Sequence, residues 1–242
     1  MTQLLISVKN SMEALLALEA GADIIDLKDP NVGALGALNI DETQDIVQAM
    51  KGNGLISATV GEQHASLNVL VHDIKVRAAI GIDIIKIVAS PLFYSDDFVM
   101  HMQTLTNNGI KIVTVFFADE KIDLDLLAKI KQAGFFGAML DTKIKQHHLL
   151  QVQAAEDLKI FTQMCHQFHL QSGFAGSLQP QHIAYLMQFN PTYIGFRGGV
   201  CENLARKNAL CHSKVIEIKK LLHIHNKTNE KTQESRCLAL HS

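Results

Sequence analysis

The chain has 242 residues, of which 48% are hydrophobic and 19% are charged, and its formal net charge is -2. This composition supports a sizeable hydrophobic core and excludes a disordered chain, and the lack of a basic excess argues against a nucleic-acid-binding protein. Asp, Lys or Gly interrupts every apolar run well before the ~18 residues that a membrane-spanning helix needs, so no membrane partner is expected.

Short β-branched segments alternate with longer amphipathic segments along the chain, a pattern typical of parallel βαβ units. Five of the incoming strands follow a glycine that suits a helix C-terminus. Eight strands, with no G-x-G-x-x-G turn after an early one, favour a closed (β/α)8 TIM barrel over an open doubly wound sheet. The predicted strands are 4–8, 23–28, 55–60, 83–88, 111–117, 137–141, 172–177 and 193–197.

The chain is predicted to form one domain followed by a tail. A closing helix is expected from Leu204 to about His225, and no linker divides residues 1–225. Residues 226–242 are polar and are predicted to be a flexible C-terminal tail. The N-terminus lacks the basic start and the cleavage site of a signal peptide, which predicts a cytoplasmic protein.

The sequence predicts no metal site. The closest histidine pairs, His147-His148 and His223-x-His225, are expected at solvated positions without the convergent geometry that a metal ion needs. No two cysteines form a C-x-x-C pair, so all four are expected to be reduced thiols. They are Cys165, Cys201, Cys211 and Cys237.

Charged residues lie where the second and fourth strands end, at the face of a barrel that carries the active site. The second strand ends in Asp26-Leu27-Lys28, and alternation directs Asp26 and Lys28 together into the barrel mouth, where we expect them to form an ion pair. Lys86 is flanked by isoleucines and is predicted to face inward, towards Asp26 or a substrate, as a nucleophile or proton donor. The alternatives are a structural salt bridge and a snorkelling lysine.

The sixth strand ends at Asp141, and both Lys143 and Lys145 in the following loop are candidates for the site. Glycine-rich loops follow the seventh and eighth strands, where many barrels bind phosphate through backbone N–H groups. Arginine can add a bidentate contact to such a phosphate, although tight turns alone would also explain the glycines. The predicted phosphate-binding residues are Gly176, Ser177, Arg197, Gly198 and Gly199.

Several segments together resemble the (5-formylfuran-3-yl)methyl phosphate synthase family of methanofuran biosynthesis, and the resemblance covers about residues 3–222. The chain departs from the family pattern at Glu62, at residues 116–119 and at residues 201–206, which puts the phosphate pocket and the substrate in question. The segments that carry the resemblance are 21–30, 33–37, 57–61, 138–142, 175–178 and 197–199.

The resemblance implies a lyase similar to class I aldolases. Such an enzyme condenses two molecules of glyceraldehyde 3-phosphate with loss of phosphate and water, and needs no metal or cofactor. By motif position, Lys28 would be the Schiff-base lysine, Lys86 a proton donor or acceptor, and Asp26 the group that orients Lys28. The family's Asp-Thr-x-x-Lys motif corresponds to Asp141 and Lys145, and it is the resemblance that selects Lys145 over Lys143.

Two other functions fit the same residues. One is a different class I aldolase or an isomerase that acts on sugar phosphates. The other is a non-catalytic barrel that binds a phosphorylated metabolite. In each case the expected partner is a small phosphorylated molecule such as a triose phosphate, and the sequence is compatible with a homo-oligomer.

Overall fold

In the computed structural model, which describes the backbone of residues 1–239 and the side chains of residues 1–230, eight parallel strands close into a barrel. Each strand pairs with the next, and the eighth pairs with the first, which confirms the predicted (β/α)8 architecture. The strands are β1 (Gln3–Val8), β2 (Ile24–Leu27), β3 (Leu55–Thr59), β4 (Ile84–Val88), β5 (Lys111–Phe117), β6 (Gly137–Asp141), β7 (Gln171–Phe174) and β8 (Tyr193–Phe196).

Helices follow the strands and cover the outside of the barrel. Asn10, Asn39 and Ser66 each accept a hydrogen bond from the backbone N–H three residues later, which fixes the N-termini of the first three helices. The α-helices are α1 (Ser11–Glu19), α2 (Ile40–Met50), α3 (Leu67–Ile80), α4 (Asp96–Asn107), α5 (Leu126–Gln132), α6 (Leu149–Val152), α7 (Ala155–Gln167), α8 (Ile183–Leu186) and α9 (His212–Ala239).

Apolar side chains pack in two layers, one between the strands and the helices and one inside the barrel. Ile25 and Leu27 of β2 belong to the outer layer, as their alternation predicts. Ile24 belongs to the inner layer, and Asp26 and Lys28 share its face of the strand. Asp26 is fully buried and Lys28 is 8% exposed, so both charges lie inside the barrel.

The predicted strand bounds agree with the structure to within one residue, except at the end of β7. This strand stops at Phe174 instead of residue 177. Gly176 and Ser177 adopt left-handed backbone angles, with φ of 107° and 47°, which turn the chain out of the sheet. The shortened strand leaves both residues in the loop at the barrel mouth.

The beginning of the closing helix differs from its prediction. Residues 198–204 form two short 3-10 turns, and α9 begins at His212 instead of Leu204. Asn203 and Leu204 both have positive φ, which is incompatible with a regular helix at this point.

The helix also continues to Ala239, beyond the predicted end near His225. The side chain of Asn226 accepts a hydrogen bond from the Thr2 backbone N–H at 2.8 Å and donates one to the Thr2 carbonyl at 3.0 Å. This exchange ties the helix to the start of β1. The division into a 1–225 domain and a flexible 226–242 tail stays a prediction, and residues 240–242 lie outside the described residues.

Candidate active site

Asp26 lies at the centre of a buried polar cluster inside the barrel. Its carboxylate accepts hydrogen bonds from Ser7 Oγ at 2.8 Å and from Ser57 Oγ at 2.7 Å, and Lys86 Nζ lies 2.5 Å from Oδ1. Ser7, Asp26 and Ser57 are register neighbours on β1, β2 and β3, so their side chains meet at one level of the barrel. Every charge in this cluster has a partner, as burial requires.

The predicted ion pair between Asp26 and Lys28 does not form, because each residue has a different partner. Lys86 forms the ion pair with Asp26, and Lys28 Nζ lies 3.1 Å from Asp141 Oδ2. Two residues along a strand are separated by about 6.6 Å, so Lys28 lies one level above Asp26. At that level the end of β6 supplies Asp141. The structure therefore does not support the role of Asp26 as the group that orients Lys28.

Asp141 is shared by two lysines. Lys28 contacts Oδ2, and Lys145 Nζ lies 2.6 Å from Oδ1 and also contacts the Thr142 carbonyl. Lys143, by contrast, is exposed and pairs with Glu120 at 2.6 Å. Of the two candidate loop lysines, the fold brings Lys145 into the site and leaves Lys143 outside it.

Burial and mutual charge shift the pKa values of these groups. Burial lowers the pKa of Lys145 to about 8, and the charge of Lys28 lowers it as well, although Asp141 opposes both effects. Burial also lowers the pKa of Lys86, against the opposing charge of Asp26. Burial raises the pKa of Asp141, but Lys145 and Lys28 outweigh it and hold that pKa well below its ordinary value. At neutral pH, Asp141 is therefore ionised, and Lys145 titrates close by.

A cavity of about 260 Å³ opens beside the upper cluster, at the C-terminal ends of the strands. Lys28, Asp141 and Lys145 line it, together with residues of the loops after β7 and β8. Lys86, which is 2% exposed, does not line this cavity and lies deeper in the barrel against Asp26. A ligand in the cavity would therefore touch Lys28 and Lys145 directly, and would reach Lys86 only through other groups.

The glycine-rich loops after β7 and β8 form a second wall of the cavity. A Cβ on Gly176 would lie 2.8 Å from the Thr142 backbone nitrogen, and one on Gly199 would lie 2.4 Å from the Leu178 carbonyl oxygen. Only glycine permits these close approaches. Four backbone N–H groups of the loops donate to no acceptor in the described part of the chain, and so remain free for an anion. They belong to Gly176, Ser177, Gly198 and Gly199.

The structure contradicts the prediction that Arg197 binds phosphate, because all of its guanidinium donors already have acceptors within the protein. Two N–H groups contact the buried Glu13 carboxylate, at 2.5 and 3.2 Å. The other three donate to the carbonyls of Ser7, Arg206 and Asn208, at 3.1, 2.7 and 3.2 Å. Arginine has five N–H donors, so none is left for phosphate. Arg197 instead ties β8 to α1 and to the following loop.

Replacing Arg197 with glutamine should lower the free energy of unfolding by about 3–5 kcal/mol, because it leaves the Glu13 carboxylate buried and unpaired. Urea denaturation measures the change. Lys159→Gln is the control, since it removes an exposed ion pair with Glu156 and should cost less than about 1 kcal/mol. If the Arg197→Gln protein has normal stability but no longer binds phosphate, Arg197 is a phosphate-binding residue after all and this structural role is wrong.

Sequence reasoning missed Ser7, Ser57 and Arg206. The two serines are inward-facing positions of predicted strands, but their contact with Asp26 depends on a strand register that a single sequence does not reveal. Arg206 follows the irregular turns after β8, where no periodicity marks it. It lines the cavity, and its Nη2 donates to the Gly33 carbonyl at 3.0 Å.

The loop between β2 and α2, residues 31–37, packs over the barrel interior. Leu35 is buried in the inner core, its N–H donates to Glu62 Oε1 at 2.8 Å, and its carbonyl accepts from Thr59 Oγ1 at 2.6 Å. Glu62, one of the departures from the family pattern, therefore fixes the conformation of this loop.

Among the residues whose side chains are described, no three His, Cys, Asp or Glu groups are placed to hold a metal ion. Over the same part of the chain, no helix combines the length and the apolar character needed to cross a membrane. Cys165, Cys201 and Cys211 are free thiols, and the side chain of Cys237 lies outside the described region.

Comparison with known proteins shows the family to which this chain belongs. The family model described as 4-HFC-P synthase matches residues 4–219. The chain belongs to the 4-HFC-P synthase family. The (5-formylfuran-3-yl)methyl phosphate synthase of Methanosarcina barkeri is 32% identical over 212 residues, which are 82% of this chain and 90% of that protein. The enzyme of the same name from Methanobrevibacter smithii is 30% identical over 234 residues, covering 90% and 98% of the two chains.

A protein of Methylorubrum extorquens, to which the same activity is assigned provisionally, is 38% identical over 216 residues, 89% of each chain. Among solved structures, 3-hexulose-6-phosphate synthase from Salmonella typhimurium aligns with a TM-score of 0.64 at 14% identity, over 93% of this chain and 100% of that one. Phosphoribosylanthranilate isomerase from Thermotoga maritima gives 0.64 at 11% identity, over 92% and 99%. At such low identity these two structures bear on the fold alone, and both agree with the barrel.

Proposed function

We propose that this chain condenses two molecules of glyceraldehyde 3-phosphate to (5-formylfuran-3-yl)methyl phosphate through a Schiff base on Lys28. The observation that carries the proposal is the pair of lysines, Lys28 and Lys145, that share Asp141 beside a cavity with free backbone N–H groups. The family and the names of its members support the product, and glyceraldehyde 3-phosphate is the substrate that the sequence resemblance implies. Balancing the elements requires that two triose phosphates lose one phosphate and two water molecules.

The first step needs a neutral amine on Lys28. Lys145, whose pKa is about 8, is the base that takes the proton, and Asp141 contacts both amines. The neutral amine adds to the aldehyde carbon of the first triose phosphate. Lys145 then returns its proton to the departing hydroxyl, so that water leaves and an iminium forms. The Asp141 carboxylate stabilises this cation.

The iminium withdraws electrons from the adjacent carbon, which loses a proton to the now neutral Lys145. The resulting enamine expels the phosphate from C3 and leaves an α,β-unsaturated iminium. The second triose phosphate loses its C2 proton, and the carbanion adds to that C3 and forms the carbon–carbon bond. The C2 enol oxygen of the first unit closes on the aldehyde of the second, loss of two waters gives the furan, and hydrolysis of the iminium releases the formyl group and frees Lys28. Lys86, which lies behind Asp26, takes part in proton movement through that carboxylate and not by touching substrate.

The free N–H groups of Gly176, Ser177, Gly198 and Gly199 hold substrate phosphate in this mechanism. Their loops line the same cavity as the two lysines. Phosphate held there leaves the aldehyde end of a triose phosphate free to meet Lys28.

Purified protein incubated with glyceraldehyde 3-phosphate tests the proposal. We expect a near-ultraviolet absorbance from the conjugated furan aldehyde and a product mass that corresponds to loss of phosphate and two waters. An aldol product that retains both phosphates would indicate a different sugar-phosphate aldolase. Binding without any consumption of substrate would indicate a non-catalytic barrel.

The pH dependence of the reaction tests the role of Lys145. Below about pH 8 its ammonium form dominates and cannot accept a proton, so kcat/KM should rise about tenfold per pH unit and level off above pH 8. In Lys145→Gln the rise should vanish and turnover should fall by about 10²- to 10⁴-fold. Lys143→Gln is the matched control, because Lys143 pairs with Glu120 outside the site and should leave the profile unchanged. An unchanged profile in Lys145→Gln would assign the base to another group.

A further inference from the structure

Arg206 is a partly exposed cation at the cavity that has no carboxylate partner among the residues whose side chains are described. Within this part of the chain, the guanidinium makes one hydrogen bond, from Nη2 to the Gly33 carbonyl at 3.0 Å. Its own backbone carbonyl accepts a hydrogen bond from Arg197 at 2.7 Å, which fixes the position of its main chain. Most of its guanidinium donors are therefore free at a site whose backbone is held in place.

The charges around the cavity do not balance. Two lysines share one carboxylate and Arg197 is matched by Glu13, whereas Arg206 forms no ion pair in the described region and feels Asp141, Glu62 and Asp29 only at longer range. Among the residues that line the cavity and their ion-pair partners, four cations thus stand against two carboxylates, an excess of two positive charges. A phosphate monoester near neutral pH carries a charge of about -1.5 to -2, which would neutralise this excess. The cations are Lys28, Lys145, Arg197 and Arg206, and the carboxylates are Asp141 and Glu13.

We propose that Arg206 binds the phosphate group of the sugar phosphate and completes the cradle of backbone N–H groups from the loops after β7 and β8. The identity of the sugar phosphate rests on the proposed function, whereas the phosphate recognition does not. A guanidinium presents several donors in one plane, so one edge can hold Gly33 while another contacts phosphate oxygens. Arg206 therefore supplies the arginine contact to phosphate that was predicted for Arg197.

The same residue links the phosphate to the β2–α2 loop. Gly33 packs so closely against Glu62 that a Cβ would lie 2.4 Å from Oε1, and Leu35 donates to that same oxygen. Glu62 therefore holds the loop from one side and Arg206 from the other. Because Lys28 leads directly into this loop, phosphate bound to Arg206 would steady the loop beside the reacting amine.

Calorimetric titration with inorganic phosphate tests this assignment in the wild-type chain, in Arg206→Gln and in Lys207→Gln. Loss of hydrogen bonds to a charged group should raise the phosphate Kd of Arg206→Gln about 10- to 100-fold. Lys207→Gln removes the adjacent exposed positive charge and should change Kd less than about twofold. Arg206→Lys keeps the positive charge but loses the planar set of guanidinium donors, so its phosphate Kd should lie between those of Arg206→Gln and Lys207→Gln. Such an intermediate Kd would show that the substitutions weaken phosphate binding and do not unfold the protein.

Phosphate that binds the wild-type chain and Arg206→Gln equally, or binds neither, overturns the proposal. A kinetic comparison tests the assignment of Arg206 to phosphate binding separately from the proposed function. Arg206→Gln should raise KM for glyceraldehyde 3-phosphate far more than it lowers kcat, and should leave borohydride-trapped Schiff base with unphosphorylated glyceraldehyde unchanged. If the wild-type chain binds phosphate through Arg206 but makes no furan, the proposed function fails and this assignment stands.

Discussion

Replacing Lys28 with methionine should lower the rate of furan formation by at least about 10⁴-fold, because it removes the nucleophile of a covalent mechanism. Lys145 keeps its contact with Asp141 in this variant, so the carboxylate stays paired and the barrel should remain folded. Methionine is unbranched and close in length to lysine, which limits the loss of packing. The measurement is the initial rate with glyceraldehyde 3-phosphate, followed by near-ultraviolet absorbance and by product mass.

Lys143→Met is the matched control for this experiment. Lys143 lies in the loop after β6, like Lys145, but it is exposed and pairs with Glu120. Its replacement should change the rate less than about twofold. A Lys28→Met protein with more than a few per cent of wild-type activity would exclude Lys28 as the Schiff-base residue.

Replacing Asp26 with leucine should lower the free energy of unfolding by about 3–5 kcal/mol, the cost of leaving one charge of a buried pair uncompensated. Lys86 is 2% exposed, and its ion pair in the described structure is with Asp26. The hydroxyls of Ser7 and Ser57 lose their acceptor as well. Urea denaturation with the linear extrapolation method measures the change.

The double variant Asp26→Leu with Lys86→Met separates this electrostatic cost from a packing cost. Apolar residues of similar volume often replace a buried ion pair without loss, so the double variant should recover most of the stability. Glu120→Gln, which removes the exposed partner of Lys143, should cost less than about 1 kcal/mol. A double variant as unstable as Asp26→Leu would show that the cost lies in packing and not in the stranded charge.

Strand periodicity predicted much of this site because the constraint is local. Side chains alternate along a strand, so Ile25 and Leu27 had to face the helices if Asp26 and Lys28 faced the interior, and the structure confirms this. The starts of the strands were likewise predicted to within one residue, since glycines mark the ends of five preceding helices.

The pairing of the charges could not be predicted in the same way. Asp26 pairs with Lys86 and Lys28 with Asp141, and which residues meet depends on the stagger between strands of a closed barrel. Sequence proximity instead suggested that Asp26 and Lys28 would meet each other.

Arg197 and Arg206 show a second limit of sequence reasoning. A glycine-rich loop after the eighth strand suggested that its arginine binds phosphate, but closure of the barrel pairs β1 with β8, and Glu13 of α1 forms an ion pair with that arginine. Arg206 reaches the cavity through irregular 3-10 turns whose positive φ values at Asn203 and Leu204 follow no repeating pattern. Residues placed by such turns leave little signal in the sequence.

Reduction with borohydride in the presence of glyceraldehyde 3-phosphate tests the central claim most directly. The reagent fixes an iminium as a stable secondary amine, and peptide mapping by mass spectrometry locates it. We expect a substrate-dependent adduct on the peptide that contains Lys28, and none on Lys86 or Lys145. Furan formation without any adduct on Lys28, or an adduct on Lys145 alone, would contradict the mechanism.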